Sequence, residues 1–370
     1  MKAIAVTPQK RILGIINQAE PHILAPTDVK LRMLEAGVCG TDREICAFEY
    51  GTPPAASEQL VIGHESLGEV VEIGPKVTRV KAGDLVVPMV RRPCDHDECT
   101  ACRSDRQDFC FTGDFQERGI KERHGFMAQF VVDDEKYMNL VPNQLRDIAV
   151  LVEPLTIAEK GLAQVWQIQQ RLPWGCRVTP GKAVAHCHRA VVLGAGPVGL
   201  LGAMALVNND FDTYVYSREP APNPKSQLLE SIGAHYISAE ETAPEILPQK
   251  IGNIDLVYEA TGASSLAFDM MKFLGPNGIF IFTGVPGRKG PVVVDTDLMM
   301  RNLVLKNQVV FGTVNAGRQS FENSIRDLGT FTERWPEAVK SLITGRFPME
   351  HHRELLLGPS PGIKNVIQLN

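Results

Sequence analysis

Cys39 in "CGTD" and the pair His64 and Glu65 in "GHES" are the residues of this chain best suited to metal chemistry. Cysteine sulfur and imidazole nitrogen together favour a borderline-soft divalent ion, zinc first among them. Either Glu65 or Glu153 can supply a carboxylate to this set. Three protein ligands leave one coordination position open, as in a catalytic zinc site. The alternative interpretation is that Cys39 is a small buried hydrophobic residue and His64 a loop histidine.

A zinc ion in such a site can polarise an alcohol oxygen and stabilise the alkoxide that must form before a hydride leaves. Thr41, two residues after Cys39, could pass the hydroxyl proton toward solvent. Alternatively, Thr41 is a turn hydroxyl that bonds its own backbone. We therefore expect Thr41, Glu65 and Glu153 to be catalytic residues of a zinc-assisted reaction.

A second group of ligand-type residues lies in the segment "CDHDECTACRSDRQDFC", with cysteines at Cys94, Cys99, Cys102 and Cys110. Four thiolates in one loop can close a tetrahedral zinc site that has no open position, which indicates a structural role. The first spacing is longer than the two residues common in such loops. His96 is therefore an alternative to Cys94 as the first ligand.

The segment "AVVLGAGPVGLLGAMALVNN" combines a short apolar run, a glycine-rich turn and an apolar helix. Gly194, Gly196 and Gly199 follow the G-x-G-x-x-G pattern in the strand–turn–helix context that dinucleotide binding requires. The glycines permit a tight turn, a close approach of the backbone to a pyrophosphate, and close packing of helix on strand. The N–H groups at the start of the helix then face the phosphate charge.

The strand that follows ends at "YVYSREP", where an NAD-selective site usually carries an acidic residue. Ser217 and Arg218 stand there instead, and a guanidinium suits the 2′-phosphate of NADP. We expect NADP as the preferred cofactor, or use of both NADP and NAD. A register shift would make Glu219 the acceptor of the ribose hydroxyl group instead.

The chain of 370 residues is long enough for two domains. Short β-branched runs with Gly, Pro and Asp turns over residues 60–90 indicate a β-rich module. Strand-like "AVVL", "TYVYS", "IDLVYEA" and "GIFIFTG" alternate with helix-length segments, which predicts a parallel sheet of βαβ units. The expected fold class is therefore α/β, with a β-rich domain at 1–185, completed by 305–370, and a doubly wound domain at 186–304.

A formal net charge of −5 leaves no electrostatic footprint for nucleic acid. No apolar run reaches the roughly 20 residues of a membrane helix, and the N-terminus does not resemble a signal peptide. These features favour a cytoplasmic protein, in which the eight cysteines are ligands or plain thiols rather than disulfides. The cluster "AHCHR", with His186, Cys187 and His188, is predicted to be structural, because neighbours in a strand point to opposite faces. No partner is evident for Cys46 or Cys176.

Taken together, these motifs resemble the zinc-dependent medium-chain alcohol dehydrogenase superfamily over essentially the whole chain. The order of "CGTD", "GHES", the four-cysteine loop and "GAGPVG" is that family's order. Within it, "CGTDREI", "VRRPC", "RQDFC", "GFMAQF", "EPLTIAEK" and "VNAG" are most similar to archaeal and bacterial glucose 1-dehydrogenases. The resemblance implies a GroES-like catalytic domain and a Rossmann domain, with the substrate in the cleft between them.

The resemblance also implies roles for individual residues. Glu153 would lie near both zinc and sugar, Glu117 would bond sugar hydroxyls, and Asn315 would lie beside sugar and nicotinamide. The expected substrate-binding residues are Thr41, Glu117, Glu153 and Asn315. The expected cofactor-binding residues are Gly194, Gly196, Pro197, Val198, Gly199, Ser217, Arg218, Thr261, Gly262 and Asn315. The expected zinc ligands are Cys39, His64, Glu65 and Glu153 at the catalytic ion and Cys94, Cys99, Cys102 and Cys110 at the structural ion.

The implied reaction is hydride transfer from the anomeric carbon of an aldose, D-glucose first, to NADP or NAD, giving the lactone. Two zinc ions per chain and a homodimer or homotetramer are expected. Two alternatives remain at this point. One is a polyol or secondary-alcohol dehydrogenase that uses the same zinc site, and the other is a zinc-stabilised nucleotide-binding protein without turnover.

Overall fold

The computed structural model describes residues 1–177, 179–181, 184–287, 290–359 and 362–370. The chain divides into two compact units. The first consists of Met1–Thr156, Asn315–Thr330 and Val339–Asn370, and the second of Ile157–Val314 and Phe331–Ala338.

The strands of the described residues are β1 (Lys2–Thr7), β2 (Ile12–Asn17), β3 (Asp28–Gly37), β4 (Leu60–Val61), β5 (Ser66–Ile73), β6 (Leu85–Pro88), β7 (Arg91–Arg92), β8 (Gln116–Arg118), β9 (Glu122–Arg123), β10 (Phe130–Asp134), β11 (Met138–Val141), β12 (Arg189–Leu193), β13 (Asp212–Ser217), β14 (His235–Ser238), β15 (Leu256–Glu259), β16 (Ile279–Phe282), β17 (Val309–Gly312), β18 (Ile343–Pro348) and β19 (Lys364–Gln368). The α-helices are α1 (Gly40–Cys46), α2 (Thr100–Arg103), α3 (Val152–Gln169), α4 (Pro197–Asn208), α5 (Pro224–Ser231), α6 (Leu247–Ile251), α7 (Ser264–Met271), α8 (Thr296–Leu305), α9 (Arg318–Arg334), α10 (Pro336–Ser341) and α11 (His352–Leu357). Short 3₁₀ helices span Pro8–Lys10, Gln107–Phe109, Glu135–Tyr137, Asn143–Leu151, Pro244–Ile246 and Met349–His351.

The first unit is built on β-sheets, as its β-branched runs and turn residues predict. Its largest sheet, as far as the described residues show, has the order β11-β6-β5-β3-β19-β18, with β10 also paired to β3. Smaller sheets are formed by β2-β1-β4 and by β7-β8-β9. The apolar core beneath them includes Ile4, Leu31, Val61, Phe126 and Ile367, which are all buried.

The register of the largest sheet brings distant segments to one place. Residue Ala36 near the end of β3 pairs with Ser66 at the start of β5, and Gly37 pairs with Val366 on β19. Backbone bonds continue the register past the strands, because the Gly37 N–H donates to the Glu65 carbonyl at 2.9 Å. The residues that follow β3, precede β5 and open β19 therefore lie side by side at one end of the sheet.

The second unit contains a parallel sheet with the order β14-β13-β12-β15-β16-β17 within the described residues. Its central strand β12 reads "RAVVL" and is almost entirely buried, as expected for a parallel strand covered on both faces. Helix α4 opens with Pro197 at its first turn and is apolar around its whole circumference, so it is buried as well. The prediction of a parallel sheet of βαβ units is thereby confirmed, and β14 and β17 extend it beyond the four strands expected from the sequence.

The compact units differ from the sequence-based boundaries at residues 185 and 305. Most of α3 belongs to the second unit, whose first segment is Ile157–Val314. Strand β17 also belongs there, because it pairs in parallel with β16. The domain boundaries expected from the sequence, at 1–185 with 305–370 and at 186–304, therefore stay predictions.

Two further findings concern the whole described chain. Among the described residues, none of the helices has the length and hydropathy to cross a bilayer. Cys176 and Cys187 are joined by a disulfide bond, so the prediction that all cysteines are ligands or plain thiols is wrong for this pair. The reasoning about opposite strand faces also fails for Cys187 and His188, because β12 begins only at Arg189.

Candidate active site and metal centres

The start of α1 carries the first two residues of the expected catalytic site. Cys39 is the N-cap residue, and the Asp42 Oδ2 atom accepts a hydrogen bond from the Cys39 N–H at 3.0 Å. This bond fixes the backbone that bears the Cys39 sulfur. Thr41 occupies the second position of the helix and is half-buried. Cys39 and Thr41 are therefore held on the same short, capped helix.

His64 and Glu65 enter the same site from the segment that precedes β5. The ligand atoms of Cys39, His64 and Glu65 all lie within 4.8 Å of one another. The other carboxylate oxygen of Asp42 lies 3.2 Å from His64 Nδ1, which leaves His64 Nε2 for a ligand. Burial opposes protonation of His64, but Asp42 and Cys39 outweigh it and raise the pKa of His64. The negative charge that Asp42 and Cys39 place around His64 favours a bound cation.

Glu65 has a buried partner that the sequence did not reveal. The Lys364 Nζ atom lies 2.6 Å from Glu65 Oε2, and it also donates to the Val38 carbonyl at 3.2 Å. Both side chains of the ion pair are buried. Lys364 is the first residue of β19, nearly 300 positions after Glu65, so only the strand register brings them together.

Glu153, the second candidate carboxylate, is the second residue of α3 and is buried. The pKa of Glu153 is raised to about 7, chiefly because of desolvation and also because of the charge of Glu65, while His64 and Lys364 act in the opposite direction. These interactions show that Glu153 faces the same charged cluster. Its carboxylate is nevertheless outside the group of ligand atoms within 4.8 Å, which contains Glu65.

A polar network lies around Glu117, the residue expected to bond sugar hydroxyls. Glu117 Oε1 accepts from Arg91 Nε and Nη2 at 3.0 and 2.9 Å, and from Asn315 Nδ2 at 3.0 Å. Asn315 adopts a left-handed backbone (φ 55°), and its Oδ1 accepts from the Ala316 N–H. The guanidinium of Arg91 lies over the Phe115 ring. Glu117 and Asn315, both expected beside the sugar, are thus in contact with each other, and Arg91 is a third member that the sequence analysis missed.

The four cysteines of the loop after β7 converge on one point. The sulfur atoms of Cys94, Cys99, Cys102 and Cys110 all lie within 4.8 Å of one another. His96 instead pairs with Asp114, so the structure places Cys94 in the group.

The thiols of this four-cysteine cluster differ in acidity. Although burial opposes ionisation, backbone N–H groups of Cys102 and Phe111 lower the pKa of Cys99 to about 6. Burial raises the pKa of Cys102 to about 12. Four sulfur atoms at such short separations cannot all ionise unless a cation joins them, because each thiolate repels the next. The donor set fits a zinc ion, which binds thiolates and displaces their protons.

The glycine-rich turn in the second unit has the geometry of a phosphate-binding loop. Gly194 has a φ of 100°, and a side chain there would meet Thr261 Cγ2 at 2.6 Å. A side chain at Gly199 would meet the Gly194 carbonyl oxygen at 2.0 Å, so the helix could not approach the strand. Around Gly196 a side chain would meet no atom within 4 Å. The turn is therefore open on the side from which a ligand could approach the backbone.

Glu259, at the end of β15, holds the neighbouring loop and was missed by the sequence analysis. Its Oε1 accepts from the Thr261 N–H, the Thr261 hydroxyl and the Gly262 N–H, and its Oε2 accepts from the Gly284 N–H. Glu259 is almost completely buried. The expected cofactor residues Thr261 and Gly262 thus have their backbone fixed by one carboxylate.

Strand β13 ends at Ser217, and Arg218 behind it is exposed. Glu219 lies one residue further on and forms an ion pair with Lys225 at 2.8 Å. This pairing favours the register in which Ser217 and Arg218, rather than Glu219, occupy the position of the ribose acceptor.

Two family models match the chain: "Alcohol dehydrogenase GroES-like domain" over residues 25–143 and "Glucose dehydrogenase C-terminus" over residues 146–369. The chain therefore belongs to the zinc-dependent medium-chain alcohol dehydrogenase superfamily, with a GroES-like and a Rossmann domain, and it is an oxidoreductase. Within that superfamily it belongs to the glucose 1-dehydrogenase family.

Individual relatives agree with this assignment. Glucose 1-dehydrogenases of Methanocella arvoryzae and Thermoproteus tenax are each 38% identical to the chain, and the matches cover 100% of the chain and 99% of each relative. The structure of Haloferax mediterranei glucose dehydrogenase in complex with NADP, Zn and gluconolactone superimposes with a TM-score of 0.88 at 31% identity. That match covers 100% of this chain and 99% of the Haloferax chain.

Proposed function

We propose that the chain is a zinc-dependent glucose 1-dehydrogenase that transfers a hydride from the anomeric carbon of D-glucose to NADP or NAD and releases gluconolactone. The observation that carries the proposal is the cluster of half-buried Cys39 with buried His64 and Glu65, in which three types of zinc ligand converge. Relatives named glucose 1-dehydrogenase match the whole chain, and the Haloferax protein was solved with NADP, zinc and gluconolactone.

We propose that Cys39 and His64 hold the ion together with a carboxylate of Glu65 or Glu153. Zinc bound there would supply Lewis-acid polarisation of the sugar's C1 hydroxyl group. The Asp42 carboxylate orients the His64 ring by its contact with His64 Nδ1. Lys364 binds one oxygen of Glu65 and leaves the other available. Loss of zinc affinity in Glu65→Gln but not in Glu153→Gln would identify Glu65 as the ligand, and the converse would identify Glu153.

The proton of the C1 hydroxyl group must leave as the hydride does. Thr41 is half-buried beside Cys39 and carries the hydroxyl that we assign to this transfer. Glu117, held by Arg91 and Asn315 through one oxygen, keeps its second oxygen for a sugar hydroxyl. These contacts support a polar pocket for a polyhydroxylated ring rather than for a simple alcohol.

For the second zinc ion, we propose a structural site in the four-cysteine cluster. For the cofactor, we propose binding at the Gly194–Gly199 turn, with Ser217 and Arg218 at the 2′-phosphate of NADP. The ion pair of Glu219 with Lys225 supports this register. Arg218→Ala should raise the KM for NADP by much more than the KM for NAD, and Arg177→Ala, which removes an arginine elsewhere in this unit, is the control. Equal losses for both cofactors would overturn the role of Arg218.

We also propose that the protein is a homodimer or a homotetramer. Strand β17 pairs with β16 only, within the described residues, and α8, which precedes β17 in the chain, carries exposed Met300, Val304 and Leu305. An open strand edge and exposed apolar residues favour association with another chain. Light scattering of the purified chain tests this point. The expectation of a cytoplasmic location stays a prediction.

Initial rates of reduced-nicotinamide formation by zinc-loaded protein test the main proposal. Glucose, galactose, xylose, sorbitol and a simple secondary alcohol should each be assayed with NADP and with NAD. We expect turnover of aldoses, glucose first, with NADP favoured. Turnover of sorbitol or the alcohol with aldoses inert would replace the substrate with a polyol or secondary alcohol. Absence of turnover, with zinc and nucleotide both bound, would overturn the catalytic function.

A further inference from the structure

The connection between α3 and β12 carries three side chains for which the dehydrogenase reaction has no use. Cys176 and Cys187 are joined by a disulfide bond, and His188 follows Cys187 directly. Ligand atoms of all three side chains lie within 4.8 Å of one another. The group lies in the second unit, immediately before the first residue of β12. It combines two sulfur atoms and an imidazole, the ligand types that zinc prefers.

The His188 imidazole is held in place by one hydrogen bond and one stacked ring. Its Nε2 atom lies 2.6 Å from the Trp174 carbonyl oxygen. A carbonyl oxygen only accepts, so Nε2 carries the proton, and in the neutral imidazole Nδ1 presents a lone pair. The imidazole is buried and stacks on the Trp174 ring, with ring centroids 4.1 Å apart. Histidines that bind metals usually donate their second N–H to a carbonyl or carboxylate in this way.

The surroundings of the group supply a carboxylate and allow access from solvent. The Asp255 Oδ1 atom lies 3.6 Å from His188 Nδ1. The Asp255 carboxylate is held by the Arg189 N–H at 2.9 Å and by Asn253 Nδ2 at 2.6 Å. A cavity of about 530 Å³ is lined by His188, Asn253 and Asp255 and by both cysteines. Cys187 is exposed, so an ion or a small thiol can reach the sulfur atoms from solvent.

We propose that Cys176, Cys187 and His188 form a thiol–disulfide-controlled zinc site, closed to metal while the disulfide is intact and able to bind one ion once it is reduced. A dithiol reductant attacks the exposed Cys187 sulfur, the S–S bond breaks, and Cys176 leaves as a thiolate. The second thiol of the reductant resolves the mixed disulfide and forms the reductant's own disulfide. Two electrons have then passed to the protein, and zinc binding releases the protons of the two thiols.

The site would differ from the two zinc sites of the first unit. Two thiolates and His188 Nδ1 would supply three ligands to a zinc ion, on the side of the group where Cys187 is exposed. Asp255 would lie next to the ligands and contribute negative charge. The structure therefore assigns a third zinc-binding position, dependent on reduction, to the segment that precedes β12. This assignment does not depend on the proposed substrate.

The first test counts thiols and zinc in the full-length protein. Denatured, unreduced chain should show six reactive thiols, because six cysteines are free, and eight after reduction. Native chain is then reduced with a dithiol, loaded with excess zinc, desalted over a weak chelator and measured by mass spectrometry. We expect reduced wild type to retain one zinc per chain more than reduced Cys187→Ser. Equal zinc contents would overturn the site, and eight thiols without reduction would overturn the disulfide control.

Matched variants separate a ligand role from an effect on folding. His186→Gln changes a histidine of the same segment that lies outside the group, and should retain the extra zinc. Cys176→Ser should lose it, as Cys187→Ser does, and circular dichroism verifies that each variant is folded. If His188→Gln unfolds the chain because the stacking of His188 on Trp174 is lost, Cys176→Ser and Cys187→Ser still test whether the zinc site exists. Loss of the extra zinc in His186→Gln as well would contradict the proposed ligand set.

Discussion

The two ligand clusters of the first unit have similar sizes but are built in opposite ways. The four-cysteine cluster draws all its sulfur atoms from residues 94–110, and the expected zinc ion there has no open position. The cluster of Cys39, His64 and Glu65 contains three different ligand types and depends on Lys364, which is far away in the sequence. One cluster is thus closed and local, and the other is open and assembled by strand register.

The groups that determine the pKa values also differ between the two clusters. Backbone N–H groups lower the pKa of Cys99 to about 6, although burial opposes this. At the other cluster, side chains of both signs compete. Despite burial, Glu65 and Cys39 raise the pKa of Lys364, and burial raises the pKa of Glu153 to about 7. A site satisfied by its own backbone suits a structural ion, whereas opposing side-chain charges are typical of a reactive site.

Cys94→Ser should have the largest effect on stability. Loss of one thiolate should release the structural zinc and lower the free energy of unfolding by at least about 4 kcal/mol, because loss of a metal site is among the largest single-residue effects. Metal content and urea unfolding measure the change. His96→Gln is the matched control and should leave both unchanged. If His96→Gln releases zinc and Cys94→Ser does not, His96 is the ligand.

Cys39→Ala should reduce kcat/KM for glucose by about a thousand-fold, since Lewis-acid polarisation contributes several kcal/mol and each 1.4 kcal/mol is about tenfold. The melting temperature should change little, because the cluster is not the fold's main support. Cys39→Asp keeps a zinc ligand and should retain more activity than Cys39→Ala. Cys46→Ala removes a neighbouring buried thiol, whose pKa burial raises to about 12, and serves as the control. Equal activity of Cys39→Ala and Cys46→Ala would contradict a ligand role.

Asp133 marks a third buried charged cluster of the first unit, in which the protein supplies both signs. Arg92, Arg118 and Arg123 all contact its carboxylate. Desolvation opposes ionisation, but the three guanidiniums lower the pKa of Asp133 far below its usual range. This cluster therefore needs no bound ion.

We expect Asp133→Asn to lower the free energy of unfolding at pH 7 by about 3 kcal/mol, because the buried guanidiniums of Arg92 and Arg118 and the half-buried one of Arg123 lose their counter-charge. The folded-state pKa is depressed, so the contribution is complete above the unfolded value of about 3.9 and is lost as pH falls further. Urea unfolding between pH 7 and pH 3 should show the two proteins beginning to converge below about pH 4, with the same zinc content in both proteins at each pH. Asp147→Asn, in an exposed pair with Arg146, should have little effect at any pH. A difference that stays constant with pH would contradict the ion-pair explanation.

The closed cluster and the nucleotide-binding turn could be predicted from the sequence because their determinants are local. Cysteine spacing and the strand–glycine–helix order both lie within about 20 residues. Asp42 could also have been found, because an acidic residue three positions after a helix N-cap is a capping signal. The contribution of Lys364 could not be predicted, because the ion pair depends on the pairing of β3 with β19. Arg91 and the Cys176–Cys187 bond likewise depend on tertiary contacts that spacing does not encode.

Lys364→Met should have the smallest effect of the four changes, a 10- to 100-fold loss of kcat/KM, the range typical of residues that support metal ligands. The variant leaves Glu65 without its cation and free to move relative to Cys39 and His64. Zinc titration should show altered affinity, and Lys364→Arg should restore most of the activity because it keeps the charge. The matched control is Arg346→Met, which breaks the pair with buried Glu35 outside the cluster and should lower stability without changing zinc affinity. If Lys364→Met, like Arg346→Met, lowers stability without changing zinc affinity, Lys364 supports only the fold. The contrast between the closed four-cysteine cluster and the open, charge-balanced cluster would then not include Lys364.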